Sequence, residues 1–443
     1  MNIREFKKYL LEKNKKVICF GTGLMCEEAL SIFEIKSAVE FLMDNDTSKQ
    51  GKRIKLAGSE YTVYSPEEGI KKLRENMIIL VTSGHFNAMK EQLNNLKLAN
   101  TVEVYVYPVL KVNYSTDSVD FFEDRILNEC LKEYEVVLNQ YSIEEKEREK
   151  KLDEMRKYII GNSMDDRPFV IPRAMVMPTT RCNLRCKGCS SLLPYFEHPS
   201  DVSIERILKD FNIFFSSIDK CIRITVGGEP FLYPYLKEIL DYLIDEPKVL
   251  GIMLISNSTL QPKDEVIQRI KNPKVYVEIS DYGHLEKMSK LISLLEDNEV
   301  NFSVLTEQTW TDMGGVECRN RSKEEIRFNY LNCDQSRVIK GMHDGKFYTC
   351  ARSARMIALG AYASQDDYFE LQDDDSPTEV RNKLKKMYYS DFADACNYCD
   401  LGSLPTRVIE AGIQMNECFK KSAYTIVNRE EYEKLKKIAK FIK

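Results

Sequence analysis

The sequence predicts an α/β protein with three parts in series: a small doubly wound domain, a partial parallel β/α barrel and a cysteine-rich C-terminal section. Three observations carry this reading. Short apolar, β-branched runs alternate with amphipathic helical stretches over residues 1–112 and again from Ala174 to about Thr306. A charged helical region separates the two series. Cysteines gather after the first strand of the second series and again beyond Ile326.

The composition sets the class. With 443 residues, 43% apolar and 30% charged, the chain is long enough for two or three domains with their own cores. A net charge of -5 and a pI near 5.7 argue against nucleic acid as a partner. No apolar run approaches the roughly 20 residues that span a bilayer. The start, MNIREFKKYLLEKNKK, lacks the apolar centre of a signal peptide, so no membrane partner and a cytoplasmic location are expected. An odd count of 13 cysteines suits ligands and buried thiols better than disulfides.

In the first part, Lys16 to Phe20 reads as a buried strand, Gly21-Thr22-Gly23 as a turn and Leu24 to Phe33 as a helix. Val39 to Met43 then forms a strand ending at Asp44. Met77 to Thr82 and Val102 to Tyr107 add strands around a helix from Asn87 to Leu96. The turn begins like a dinucleotide fingerprint, but Cys26 stands where the third glycine belongs, so the motif is weak. FGTG followed by FLMDND resembles Rossmann-like modules attached to bacterial sugar-nucleotide and polysaccharide enzymes. That resemblance puts Asp44 in the ribose-binding place; the module reads as a docking or substrate-presenting scaffold, with nucleotide binding as the alternative.

Residues 113–165 read as a linker of helices. Phe121 to Leu138 is amphipathic, and Ser142 to Ile160 places acids and bases at helix-neighbour spacing, as a solvated bridge does. The second α/β series follows over 166–325. Its strands lie near Ala174 to Pro178, Ile222 to Val226, Ile252 to Ser256, Val275 to Ser280 and Asn301 to Leu305. Helices fall at Ile204 to Ile213, Tyr235 to Leu243, Asp264 to Ile270 and Leu285 to Leu295. Repeated βα units close into a barrel or part of one, whose working face is the C-terminal end of the strands.

The chemistry sits at those strand ends. After the first strand, MVMPTTRCNLRCKGCSS carries Cys182, Cys186 and Cys189 in C-x3-C-x2-C spacing. Tetrahedral zinc needs four ligands, whereas a four-iron cluster on three cysteines keeps one iron free for a substrate or cosubstrate. The spacing favours the cluster. After the second strand stands Gly227-Gly228-Glu229-Pro230, where glycine lets the main chain approach a ligand closely. The third strand ends in Ser256-Asn257-Ser258-Thr259, and the fourth offers Glu278, Ser280 and Asp281.

This order of motifs resembles the radical S-adenosylmethionine (SAM) superfamily, with a partial (β/α)6 radical SAM barrel. The resemblance implies a 4Fe-4S cluster on Cys182, Cys186 and Cys189, and SAM chelated to its free iron. It also implies cofactor contacts from Gly227, Gly228, Glu229, Pro230, Ser256, Asn257, Glu278 and Ser280, and a flavodoxin or ferredoxin-type electron donor. One departure stands out: the family's aromatic residue before the third cysteine is Gly188 here, so adenine packing must come from elsewhere.

Beyond Ile326, Arg337 to Met342 and Lys346 to Cys350 flank an Asp344-Gly345 turn, a hairpin signal. Cys333, Cys350, Cys396 and Cys399 can hold zinc or a second 4Fe-4S cluster. Residues 326–425 resemble the twitch subdomain, a shortened relative of the SPASM extension, and the arrangement is similar to the 2-deoxy-scyllo-inosamine dehydrogenases; a C-terminal helix is expected over 426–443. The implied reaction opens with a 5'-deoxyadenosyl radical that abstracts a C–H hydrogen. Oxidation of a secondary alcohol on a sugar, aminocyclitol or other carbohydrate-related small molecule is favoured. The alternatives are a radical epimerase, with Cys318 as hydrogen donor ahead of Cys221 and Cys418, and a peptide maturase. His85, His198, His284 and His343 show no metal spacing and read as surface or core-edge imidazoles.

Overall fold

The computed structural model describes residues 3–31, 35–99, 101–112, 119–141, 143–161, 167–306, 309–403 and 407–415. The chain forms two compact units, essentially residues 3–121 and residues 122–401 with 407–415. Cys418 and the helix expected over 426–443 lie outside the described residues.

The first unit runs α1 (Ile3–Glu12), β1 (Lys16–Phe20), α2 (Leu24–Ser31), β2 (Val39–Met43), β3 (Arg53–Leu56), β4 (Ser59–Tyr64), α3 (Pro66–Lys71), β5 (Met77–Val81), α4 (Phe86–Asn95), β6 (Val104–Val106) and α5 (Tyr107–Val112). Its sheet has the order β3-β4-β2-β1-β5-β6, parallel except for the β3–β4 hairpin. Every residue of β5 is buried, as a strand covered on both faces requires. The strand order reverses beside β1, where doubly wound folds place their ligands. Here, however, the Asp44 carboxylate accepts the Thr22 N–H at 2.8 Å and the Thr22 hydroxyl. The residue expected to meet a ribose therefore closes its own glycine turn.

The second unit opens with α6 (Val119–Asn139) and α7 (Glu145–Ile160), followed by β7 (Val170–Val176), α8 (Ile204–Ser216), β8 (Lys220–Val226), α9 (Leu236–Asp245), β9 (Val249–Ser256), α10 (Asp264–Ile270), β10 (Val275–Ser280), α11 (Leu285–Asp297), β11 (Phe302–Leu305) and β12 (Thr309–Thr311). Next come α12 (Lys323–Asn332), α13 (Asp334–Val338), β13 (Ile339–His343), β14 (Lys346–Tyr348), α14 (Ala351–Ala358), β15 (Tyr368–Glu370), α15 (Pro377–Tyr388) and β16 (Val408–Glu410). The main sheet has the order β11-β10-β9-β8-β7-β13-β14-β15. Strands β7 to β11 are parallel in chain order, and β13 adds a further parallel strand to the open β7 edge. The cysteine-rich section is thus part of the barrel's own sheet.

Helix α8 shows how the sequence builds the layers. Ser203 caps it by accepting the Arg206 N–H at 3.2 Å. Ile207, Phe211, Phe214 and Phe215 then bury its inner face in a core shared with β7, β8 and α15. Phe214 stacks on Phe347 of β14 at 5.3 Å, which joins that core to the C-terminal hairpin. Burying a Phe of this kind stabilises by roughly 1.5–3 kcal/mol.

The helices expected only as a bridge also carry structure. Cys130, Leu131 and Val137 of α6 pack against Val170 and Ile222 of the barrel strands. A Cβ at Gly251 would stand 2.7 Å from a Val137 methyl, so glycine lets the helix approach β9. Glu133 of α6 pairs with Arg223 of β8 at 2.6 Å, both nearly buried.

Candidate functional site

At the C-terminal ends of the strands lies a cavity of about 690 Å³, within the usual range for small-molecule sites. Cys182, Cys186 and Cys189 line it, with Gly227, Gly228, Glu229, Ser256, Asn257 and Ser280. Pro230 and Glu278, expected among the cofactor contacts, do not. Pro230 is buried as the first residue of a short 3-10 turn. Glu278 lies two residues before Ser280, one strand repeat deeper, where its charge acts on Arg173.

The cysteine loop is held from several directions. Its exit strand is tied by Met177 N–H to Met342 O at 3.0 Å, and His343 Nδ1 lies 2.8 Å from Met177 O. The far side of the loop pairs with the 413–415 segment: Lys187 N–H donates to Ile413 O at 2.7 Å and Met415 N–H to Arg185 O at 2.9 Å. From that segment the Gln414 amide donates to Cys186 Sγ at 3.0 Å. The Asn257 amide donates to Cys182 Sγ at 3.5 Å, and Leu184 N–H does so at 3.4 Å. Burial pushes the Cys182 thiol up to about 12 and Cys186 up to about 11.

Glu229 lies beside the cysteine loop, joined to it through Asn257, which bonds both Glu229 and Cys182. It is 1% exposed, accepts Asn257 N–H at 2.9 Å and the Ser256 hydroxyl at 3.0 Å, and meets no cation among the described residues. Burial outweighs these hydrogen bonds and raises its pKa to about 7. Ser256 and Asn257, expected among the cofactor contacts, line the cavity and direct polar atoms to Glu229 and the cysteine loop. Next to Glu229, Gly228 has φ +84, and a Cβ there would stand 3.0 Å from the Thr179 carbonyl oxygen. Three thiols, an uncompensated buried carboxylate and a glycine edge suit an iron–sulfur cluster beside a cationic ligand.

The remaining wall is aromatic. Trp310 of β12 meets Tyr282 edge to face at 5.3 Å, and both line the cavity. β12 pairs antiparallel with β16, setting Trp310 opposite Ile409.

Residues 176–280 match the profile described as the Radical SAM superfamily. That span begins at the last residue of β7 and ends at the last residue of β10, so it contains the cysteine loop and the Gly-Gly-Glu-Pro turn. This stretch is a radical SAM domain. Its cofactors are a 4Fe-4S cluster and SAM. Over 155 residues the chain is 30% identical to the antilisterial bacteriocin subtilosin biosynthesis protein AlbA of Bacillus subtilis (strain 168), covering 30% of this chain and 33% of that protein. The chain therefore spans about a third of the length of this curated relative. Among solved structures it is similar to BtrN in complex with AdoMet and 2-DOIA, at 14% identity, covering 56% of this chain and 97% of that one, with a TM-score of 0.33. It is also similar to native anSMEcpe with bound AdoMet, at 12% identity, covering 61% and 100%, with a TM-score of 0.36.

The second cysteine set is brought together by three short elements. Cys333 caps α13, its sulfur accepting Ser336 N–H at 3.3 Å, and Cys350 caps α14, accepting Ser353 N–H at 3.3 Å. Helix N-termini favour negative charge at both sulfurs. Cys396 and Cys399 come from a turn whose carbonyls are held by Asn329 and Arg321, Asn329 Nδ2 meeting Cys396 O at 2.8 Å and Arg321 Nη1 meeting Cys399 O at 2.7 Å. Burial, then the charges of Cys399 and Cys350, lift the Cys333 thiol to about 12. Among the described residues, no three His, Cys, Asp or Glu side chains converge on a position for one metal ion. A four-iron cluster takes one thiolate per iron and needs a wider grouping.

The other candidates fall elsewhere. Cys318 is exposed, accepts Asn397 Nδ2 at 3.3 Å and does not line the cavity. Cys221 is buried in the barrel core. None of the four histidines lines the cavity. Gln414 was missed by sequence reasoning because no local pattern marks a residue 228 positions from its partner.

Proposed function

We infer that this chain is a radical SAM oxidoreductase that removes a hydrogen from the carbinol carbon of a secondary alcohol on a sugar, aminocyclitol or related small molecule, giving a ketone. One observation carries the oxidative outcome: the same compact unit holds the cavity of the radical SAM domain and a complete second set, Cys333, Cys350, Cys396 and Cys399. In this reading Cys182, Cys186 and Cys189 hold the first cluster, and Glu229 receives the cofactor's ammonium. When bound, the cofactors supply a 5'-deoxyadenosyl radical that takes the C–H hydrogen atom. As the alcohol proton leaves to solvent, a cluster on Cys333, Cys350, Cys396 and Cys399 would be the acceptor for the remaining electron. A flavodoxin or ferredoxin-type protein supplies the first electron.

A peptide substrate is the second reading, favoured by the match to a bacteriocin biosynthesis protein. It shares the oxidative outcome. Epimerisation needs a thiol facing the substrate, and the exposed Cys318, outside the cavity, gives it no support. The test is to incubate reconstituted enzyme, SAM and reductant with candidate sugars and peptides in deuterium oxide and to follow product mass. A product about two mass units lighter, without stable deuterium at the reacting carbon, supports oxidation. An unchanged oxidation state with one carbon-bound deuterium sinks it.

A further inference from the structure

Two thiols of the cysteine loop accept a hydrogen bond from outside the loop, Cys182 from Asn257 and Cys186 from Gln414. For Cys189 the neighbouring element is α14, whose Arg352 holds the next residue, Ser190, by its carbonyl at 3.2 Å and whose Arg355 bears on the Cys189 thiol by charge. Arg355 of α14 is 0% exposed, and its Nη2 donates to Thr179 O at 2.7 Å. Its Nε and Nη1 are buried without a hydrogen-bond partner among the described residues, and no carboxylate pairs with it there. The negative charges that act on the guanidinium are those of Cys189, first, and Tyr348. Burial lowers its pKa only to about 10, so it is a cation at neutral pH.

A buried cation of this kind costs stability unless an anion accompanies it. Holding the Thr179 carbonyl needs only one N–H, which leaves the other buried donors unexplained. Arg355 does not line the cavity that Cys189 lines, so it can act on a group bound there only from behind the loop, through the Cys189 side. Around the guanidinium stand the Phe196 ring, 6.0 Å away, His343, Tyr348 and the Cys189 thiol with whatever that thiol binds; of these, only the Cys189 side offers an anion at neutral pH. The neighbouring Arg352 does different work, tying Ser190 O at 3.2 Å and Gly315 O at 2.9 Å.

We propose that Arg355 is the charged donor to the first cluster on its Cys189 side, raising its reduction potential and compensating its negative charge. The proposal rests on the assignment of Cys182, Cys186 and Cys189 to that cluster. Cys350 is the N-cap of helix α14, so the helix that carries this donor is capped by a residue of the second cysteine set. Hydrogen bonds and net charge at the sulfurs are the levers by which proteins set such potentials. A guanidinium supplies both.

The test uses the full chain with Arg355→Met, Arg355→Gln and Arg355→Lys, each reconstituted anaerobically and titrated electrochemically with spectroscopic detection of both clusters. The neutral variants should shift the first cluster to a more negative potential and leave the second unmoved, and Arg355→Lys should recover part of the shift. Thermal melting gives a second readout. Without cluster, Arg355→Met should melt at the wild-type temperature or above, because an unpaired buried cation has gone; with cluster it should melt below wild type. An unchanged first potential, or equal losses in melting temperature with and without cluster, overturns the proposal and leaves a purely structural arginine. If alanine at Cys182, Cys186 and Cys189 removes no iron, the cluster assignment itself has failed, and the proposal falls with it by a distinguishable route.

Discussion

Gly188 and Ile409 compete for one space: with Gly188 at φ +73, a Cβ there would overlap the Ile409 Cδ1 methyl. The space beside Gly188, where the resemblance leads to the expectation of an aromatic side chain, is thus filled from β16, by the residue opposite Trp310. Gly188→Ala should cost at least about 1 kcal/mol from the positive φ alone. Gly188→Phe should cost more and weaken SAM binding by dislodging the β12–β16 ribbon. Adding Ile409→Ala should recover part of the loss, read by denaturant melts and equilibrium binding. Equal damage with and without Ile409 contradicts the packing relationship.

Glu229 gives a pH signature. Its folded pKa, about 7, lies above the ordinary carboxylate value, so the empty protein is stabilised by neutral Glu229 at low pH and loses that contribution as pH rises through about 7. A cationic ligand needs the carboxylate, so SAM should bind more tightly as pH rises through the same window. Glu229→Gln should weaken binding by at least about tenfold and flatten the profile. Calorimetric titration from pH 6 to pH 8 checks both, and a flat wild-type profile contradicts the role.

His343 gives the opposite signature. Burial, and next the charge of Arg355, lower its pKa to about 4. Its contribution is present above the unfolded value near 6.5 and is lost as pH falls toward about 4, by up to about 3 kcal/mol. Urea melts at pH 7 and pH 5 should show a larger loss for wild type than for His343→Asn.

What the sequence made legible was local. The cysteine loop, the Gly-Gly-Glu-Pro turn and Ser256-Asn257 each follow directly on an apolar strand, and the strand period brings all of them to one end of the sheet. What it hid was long-range. Gln414 reaches Cys186 and Arg355 reaches Thr179 only through tertiary packing. The parallel pairing of β13 with β7 joins residues more than 160 positions apart. Depth along a strand was hidden for a different reason: Glu278 shares its face with Ser280 but sits one repeat deeper in the barrel, and a period of two marks the face without the depth.

The Glu133–Arg223 pair tests whether α6 is an integral part of the barrel. Arg223→Met removes the direct partner of a nearly buried carboxylate, leaving only the charge of Arg173 near it, and should cost up to about 3–5 kcal/mol. Glu133→Leu with Arg223→Met should be close to neutral. Additive losses in the double variant would show that the two side chains act independently.

Two cysteine-held clusters with separate tasks are tested most directly by iron content and SAM cleavage in three anaerobically reconstituted chains. The intact chain should hold about eight irons, two clusters of four. Alanine at Cys182, Cys186 and Cys189 should leave about four and abolish SAM cleavage. Alanine at Cys333, Cys350, Cys396 and Cys399 should also leave about four, yet preserve reductive cleavage while product formation stops. Stoichiometric zinc with no iron uptake, or cleavage that survives loss of the first three cysteines, would contradict the two-cluster assignment.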